Sequence, residues 1–290
     1  MTPTTPAKWG LRGLAFGYLG LLLLAPVGMI FYKTFENGLG PPVDAMTSPE
    51  ALHAIQLTLL MVAVAVPLNT VFGVGCALLL VRRRWWGNPI VDGIINLPFA
   101  VSPIVVGLSL YLLYGNSGWF GPTMAEWGIE VLFSWPGMVL ASIFVSLPFV
   151  VRETVPVLQE IGTEQEQAAS TLGANGWQTF WRVTLPAIRW GVAYGVVLTT
   201  ARVLGEFGAV TIVSGSISGE TETMPLFVAK AFEQFNEEAA YAGAIVLALL
   251  ALTTLLLMSI GGRKAKAGSR SQMTLSADTA LSTSDNKEGS

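Results

Sequence analysis

The chain has 290 residues, 52% hydrophobic and only 12% charged, about half the roughly 25% charged fraction of soluble domains. That composition excludes a water-soluble core and leaves one polytopic membrane domain with little room for extramembrane structure. The net charge of −3 says little by itself, because in such a chain its distribution matters more than its total, and no nucleic-acid partner is expected.

Six apolar runs follow one another: Leu14–Tyr32, Leu52–Val81, Ile90–Leu113, Pro136–Val151, Ala187–Val213 and Ala239–Ile260. Each is near the roughly 20 residues that a spanning helix needs, the fourth being the shortest. Only helices or closed barrels satisfy their backbone groups in lipid, and these runs lack the alternation of barrel strands. The predicted fold is all-α with six transmembrane helices over residues 14–260. Lys8 and Arg12 precede the first run in a short N-terminal segment, 1–13. The run is about 20 residues long and has no evident small-residue cleavage site, so it reads as a retained span. Cys76 is the single cysteine and reads as a small packing residue, and His53 lies near the outer end of the second span. Pro26, Pro67, Pro98, Pro103 and Pro148 fall in or near spans, where kinks are expected.

Lys and Arg orient the chain. With the N-terminus inside, the inner segments hold Lys8, Arg12, Arg82, Arg83, Arg84, Arg152, Arg182, Arg189 and the basic residues after Gly262. The outer ones hold Lys33 and Lys230 alone, so both termini are expected to be cytoplasmic. The tail, 261–290, has little apolar content and is expected to be disordered.

Between the fourth and fifth runs lies a polar loop, 160–186, on the cytoplasmic side. Gln167, Ala168 and Ala169 suit a short helix whose small side chains admit another surface, and Gly173 can take the positive φ that ends it. A second short helix is expected next, with Trp177, Phe180 and Trp181 at i, i+3 and i+4 as an aromatic stripe. Pro186 suits the first turn of the next span. An interfacial helix packed on its own spans would show the same stripe. In the fifth run Arg202 and Glu206 stand at i and i+4, where an isolated charge costs at least about 2.5–3.5 kcal/mol. They should face each other or a watery cavity, while Gly205 and Gly208 permit close helix approach or local unwinding. Residues 214–238, outside in this topology, carry Ser214, Ser216, Ser218, Glu220, Glu222, Glu233, Glu237 and Glu238.

The spacing Gln167-Ala168-Ala169, Gly173, Val183, Leu185 and Pro186 resembles the EAA loop of the membrane subunits of ATP-binding-cassette importers. Gln167 replaces the usual Glu, with Glu166 adjacent, and Val183 replaces Ile. The stretches at 97–108, 182–199 and 202–226 resemble the sulfate/thiosulfate importer permeases, in their CysW-type rather than CysT-type branch. The resemblance implies a type I importer permease fold, with 160–186 as the coupling helix that docks into a cleft on the ATPase. Glu166, Gln167, Ala168, Ala169, Gly173, Leu185 and Pro186 would form that docking element. It further implies two ATPase subunits, a second CysT-type permease, a periplasmic sulfate-binding protein and a bacterial inner membrane. Arg202 would lend positive potential to a passing dianion and Glu206 would limit its retention, the alternative being a structural ion pair. The outer loop 214–238 would serve as a docking face for the binding protein, or simply as a solvated connection. GEFGA at 205–209 also resembles molybdate permeases, so a molybdate or tungstate importer is the alternative, and a secondary transporter a more distant one.

No catalytic residue is identified in the chain. There is no G-x-x-x-x-G-K-[ST] phosphate loop, so the resemblance implies that ATP and Mg are bound by the partner ATPase, with no cofactor here. No Cys or His cluster at ligand spacing suggests a metal.

Overall fold

The computed structural model describes residues 13–83, 85–254 and 256, and among these the chain is helical with no strand. Helix α1, Gly13–Phe35, is followed by a short α2, Gly40–Met46, and by α3, Pro49–Arg82. Then come α4, Asn88–Ala100, α5, Pro103–Tyr114, α6, Gly121–Glu126, α7, Trp135–Ile161, and α8, Glu164–Thr171. Helix α9, Gly176–Leu204, runs through a π-turn at Phe180–Thr184 and is followed by α10, Gly208–Ser214, α11, Met224–Glu233, and α12, Glu237–Thr254. The N-terminal segment to residue 12 and the tail 261–290 lie outside the described residues.

Helices α1, α3, α7 and α12 are each long and apolar enough to cross a bilayer unbroken. The third and fifth expected spans are instead bent pairs, α4 with α5 at 109° and α9 with α10 at 54°. Counting each pair once gives the six spans read from the sequence. The first break has a local cause. Pro103 lacks an N–H and drives the preceding residue out of the helical region, and Ser102 accordingly sits at φ −61°, ψ 137°. Pro67 and Pro148, where kinks were expected, lie inside α3 and α7, each of which continues past its proline.

The core is built by α3, α7 and α9. Small residues let their backbones approach closely, the usual device where lipid removes a hydrophobic drive between helices. A Cβ on Gly73 of α3 would lie 2.7 Å from Val150 Cβ, and one on Gly195 of α9 would lie 2.7 Å from Val150 Cα. Buried Val150 on α7 is therefore clasped between glycines of two neighbouring helices. Met61, Met138, Val203, Val210 and Leu226 form one buried cluster, and Val74, Leu158 and Ile188 join Val150 in a second, the inner core cluster. Asn69, fully buried, donates to Ser146 Oγ at 2.7 Å and to the Ile143 carbonyl at 3.1 Å, which ties α3 to α7. By contrast Leu14, Phe16, Leu21 and Leu24 of α1 are exposed, as side chains facing lipid or another subunit would be.

Arg152, counted from the sequence among the cytoplasmic residues, lies within α7 more than two turns before its end at Ile161. The apolar run ends at Val151 but the helix continues, because Val155, Leu158 and Ile161 beyond it pack in the inner core cluster with residues of α3 and α9.

A valine at position 195 would have to displace the α7 backbone, whereas a Cβ on Gly75 meets nothing within 4 Å. Gly195→Val should cost about 1–3 kcal/mol. Thermal unfolding in detergent micelles should show a lowered midpoint for it, and little change for Gly75→Val.

Candidate functional site

Two places concentrate the residues singled out from the sequence: the polar segment around α8 and the paired helix breaks within the membrane region.

In the polar segment, Gln167, Ala168 and Ala169 lie on α8, with Gln167 and Ala168 exposed and Ala169 partly covered. Gln167 Nε2 donates to Thr163 Oγ1 at 3.0 Å, so the amide that replaces the usual carboxylate is satisfied locally. Gly173 has φ +87°, the left-handed conformation its position was expected to need, and a Cβ there would meet open space. Asn175 then caps α9: Gln178 N–H donates to Asn175 Oδ1 at 2.8 Å, and the Asn175 N–H donates to Gln178 Oε1 at 3.0 Å. Trp177 and Trp181 pack edge to face at 5.5 Å and are 71% and 51% exposed, while Phe180 turns inward against the inner core cluster. The stripe thus splits, one ring anchoring the segment and two left outside with Leu172, which is 89% exposed.

The expected separate second helix is not separate. Gly176–Leu204 is continuous, and Pro186 sits just past the π-turn rather than at a new start. The wider turn, with Leu185 N–H bonded to the Phe180 carbonyl, accommodates a proline that would otherwise clash with the preceding turn. Leu185 packs against the inner core cluster and Pro186 is exposed.

Glu166 points inward. Its Oε2 lies 3.0 Å from Arg82 Nε, Arg82 Nη2 donates to Oε1 at 3.1 Å, and Thr184 Oγ1 donates to the same Oε1 at 2.8 Å. Arg82 Nη1 also donates to the Leu158 carbonyl at 3.1 Å. The side chains of this pair are 16% and 22% exposed, so it is only weakly screened by solvent. One arginine thereby joins the C-terminal end of α3, the end of α7 and α8, while Thr184 joins the π-turn of α9 to the same carboxylate. Arg82 and Thr184 escaped the sequence reading. An arginine ending an apolar run reads as a topological marker, and only tertiary contact shows that Glu166 faces it.

The two helix breaks lie side by side. A Cβ on Gly208 would lie 3.1 Å from Pro103 Cβ, and one on Gly107 would lie 2.6 Å from the Ala209 carbonyl oxygen, so α5 and α10 pack backbone to backbone. Gly208 therefore serves close approach, whereas Gly205 ends the long helix at φ −95°, ψ 12°. Arg202 Nη1 and Glu206 Oε2 are 2.6 Å apart, as the i, i+4 spacing predicts, with the Glu206 side chain 1% and that of Arg202 28% exposed. Glu206 Oε1 accepts from the Ala209 N–H at 2.9 Å, supplying a partner for a donor that the break would leave orphaned. Glu206 is thus a buried cap and counter-ion, and Arg202 is the partly exposed member.

On the loop 214–238, Glu222 is buried rather than solvated. Ser218 Oγ donates to Glu222 Oε2 at 2.9 Å, Lys230 Nζ donates to Ser218 Oγ at 2.7 Å, and Lys230 Nζ stands 3.5 Å from Glu222 Oε1. These groups border a cavity of about 410 Å³ with Ser48 and Glu50 at the start of α3. The Glu220 carbonyl can only accept, so His53 Nε2, 3.0 Å away, carries the proton and pins the loop to α3. Among the described residues no group of His, Cys, Asp and Glu is arranged to hold a metal.

Residues 69–266 match the family model described as binding-protein-dependent transport system inner membrane component. The chain is 52% identical over 257 residues to the sulfate transport system permease protein CysW of Synechocystis sp., covering 89% of this chain and 93% of that one. It is 37% identical over 258 residues to the sulfate transport system permease protein CysT of Escherichia coli K12, covering 89% and 92%. A bacterial alginate ABC transporter, solved in complex with an alginate pentasaccharide-bound periplasmic protein, superposes with a TM-score of 0.74 at 18% identity, covering 89% of this chain and 96% of the matched one. That likeness concerns the fold.

Replacing Glu166 by alanine strands Arg82 and removes the acceptor of Thr184, a local loss of about 1–3 kcal/mol. Amide hydrogen exchange over 164–171 should speed up by about tenfold or more, with exchange in α3 and α7 above Leu158 unchanged, and Glu166→Gln should fall between.

Proposed function

The chain belongs to the binding-protein-dependent transport system inner membrane component family, and from that premise we propose that it is the CysW-type permease subunit of an ATP-driven sulfate/thiosulfate importer. The observation that carries this reading is the 52% identity, over nearly the whole of both chains, to a sulfate transport permease. The lower identity to a CysT permease supports a heteromeric path in which a CysT-type chain is the second permease. The chain is a multi-pass membrane protein; both termini are cytoplasmic in this reading, in a bacterial inner membrane.

The segment 160–186 is the element that couples to the ATPases. Exposed Gln167, Ala168, Leu172, Trp177 and Trp181 form its outward surface, while Phe180 and Leu185 anchor it. Glu166, though within the segment, contributes by holding it to α3 and α9 rather than by reaching outward. ATP and Mg are bound, and ATP hydrolysed, by two separate ATPase subunits. Movement of those subunits reaches this chain through the segment and is passed to α3, α7 and α9 as a rigid-body displacement that opens the path alternately to each side. Arg202 offers the passing dianion positive potential, and buried Glu206 keeps the arginine in place and balances its charge. The outer loop with its cavity receives the periplasmic binding protein, which brings the anion. GEFGA at 205–209, also found in molybdate permeases, makes a molybdate or tungstate importer the second reading, and competition during uptake separates the two.

Proteoliposomes holding the complete complex and its binding protein should accumulate radiolabelled sulfate only with ATP. Gly173→Asp forces a side chain onto a left-handed turn without meeting any neighbour, so it should leave the spans folded while misaligning the docking surface. Uptake should fall by about tenfold or more, given a cost of about 1–2 kcal/mol for that backbone conformation and the loss of docking contacts. Uptake without ATP, or at the wild-type rate in Gly173→Asp, would count against the coupling role. Inhibition by molybdate but not by thiosulfate would move the substrate to the second reading.

A further inference from the structure

We propose that Arg152, positioned by Asn96, forms an oxyanion station in the cytoplasmic half of the transport path, separate from the Arg202–Glu206 pair; this rests on the importer reading above. The depth of Arg152 comes first. Arg82 bonds the Leu158 carbonyl, which puts the end of α3 level with Leu158, and the exposed Trp85–Trp86 pair follows directly. Exposed tryptophans mark a membrane interface. Arg152 is six residues further into α7, about 9 Å deeper at 1.5 Å per residue.

An arginine so placed ordinarily snorkels back to the headgroups. This one does not. Its Nε donates to Asn96 Oδ1 at 2.9 Å and its guanidinium lies 4.7 Å from the centre of the Phe99 ring, both on α4. Asn96 is two turns along α4 from Asn88, whose side chain binds the Leu80 and Arg83 carbonyls near the cytoplasmic face. The guanidinium is therefore turned toward the bilayer interior, and the residue remains exposed. Among the described residues no acceptor meets its Nη atoms, so a paired set of N–H donors is left, the geometry that suits a tetrahedral oxyanion.

Lipid is a costly neighbour for such a group. The surrounding residues point to water instead. Asn88, Asp92 and Asn96 recur at i, i+4 and i+8, a polar stripe along an otherwise apolar helix, with Asp92 exposed. The stripe leads to Ser102, exposed at the break, where Pro103 meets Gly208 just beyond Glu206. Because Gly195 abuts Val150, Arg202 lies about 10 Å outward of that contact and Arg152 about 3 Å inward of it. The two arginines thus stand at successive depths, as steps on one route would. Asp92, a turn nearer the cytoplasm, repels the anion and favours its departure, as a site on a conduction path requires.

The test uses the complete complex with its binding protein in proteoliposomes, in a Cys76→Ala background. Arg152→Gln should slow ATP-driven sulfate uptake by about tenfold or more, and Arg152→Lys, which keeps the charge, by less. Arg152→Cys should react with an impermeant, negatively charged thiosulfonate from the cytoplasmic side, and sulfate should slow that reaction. Wild-type uptake by Arg152→Gln overturns the station, as does an unreactive Arg152→Cys or a labelling rate indifferent to sulfate. Loss of assembly in both Arg152→Gln and Arg152→Cys would make Arg152 a subunit contact and overturn it as well. If the wild-type complex accumulates no sulfate with ATP, the importer reading fails instead, and anion-sensitive labelling of Arg152→Cys still reports on the station.

Discussion

A helix that breaks inside a membrane exposes backbone donors and acceptors that lipid cannot satisfy, and this constraint organises the middle of the molecule. Both broken spans answer it in the same place. Pro103 needs no partner for an N–H it lacks, Glu206 accepts from the Ala209 N–H, and α5 and α10 then close on each other across Gly107 and Gly208. The buried carboxylate in turn demands a counter-charge, which Arg202 supplies from one turn earlier. Non-helical backbone at membrane depth is tolerated where it is buried in protein or lines a water-filled cavity. The paired breaks, packed on each other across Gly107 and Gly208, meet the first condition.

The end of the bundle that carries α8 is organised by a single carboxylate. Glu166 collects Arg82 and Thr184, and Arg82 adds the Leu158 carbonyl, so the ends of α3 and α7, α8 and the π-turn of α9 converge on one hydrogen-bonded knot. Below it, the inner core cluster around Val150 locks α3, α7 and α9 through glycine contacts too close to slide. A push on the exposed face of Trp177 and Trp181 would therefore reach three spans together. The π-turn matters here, since it lets the chain pass Pro186 without a joint that would absorb the displacement.

Much of this was legible beforehand. Apolar run length revealed the number of spans, because the bilayer sets a length that composition must match. The Gly173 turn and the Arg202–Glu206 pair were also readable, since a left-handed glycine and an i, i+4 ion pair are local consequences of the chain. The break at Ser102 had its signal in Pro103, although length alone suggested one straight span. The inward turn of Glu166, the burial of Glu222 and the depth of Arg152 carried no such local signal. Glu166 and Arg152 depend on Arg82 and Asn96, far along the chain, and Glu222 is held by Ser218 and Lys230 beside a cavity bordered by the start of α3.

By itself the sequence determined an all-α, six-span membrane protein with a polar segment between the fourth and fifth spans, because hydrophobic run length and charge placement are properties of consecutive residues. Only the tertiary structure decided which charges are structural and which are free. Arg82, Arg152 and Arg202 are alike as residues. The first is consumed by Glu166 and the Leu158 carbonyl, the third is balanced by a buried cap, and the second keeps its Nη donors without an acceptor among the described residues. Whether a charge within a membrane protein holds the fold or faces the path depends on what the neighbouring helices bring to it, and packing alone makes that choice.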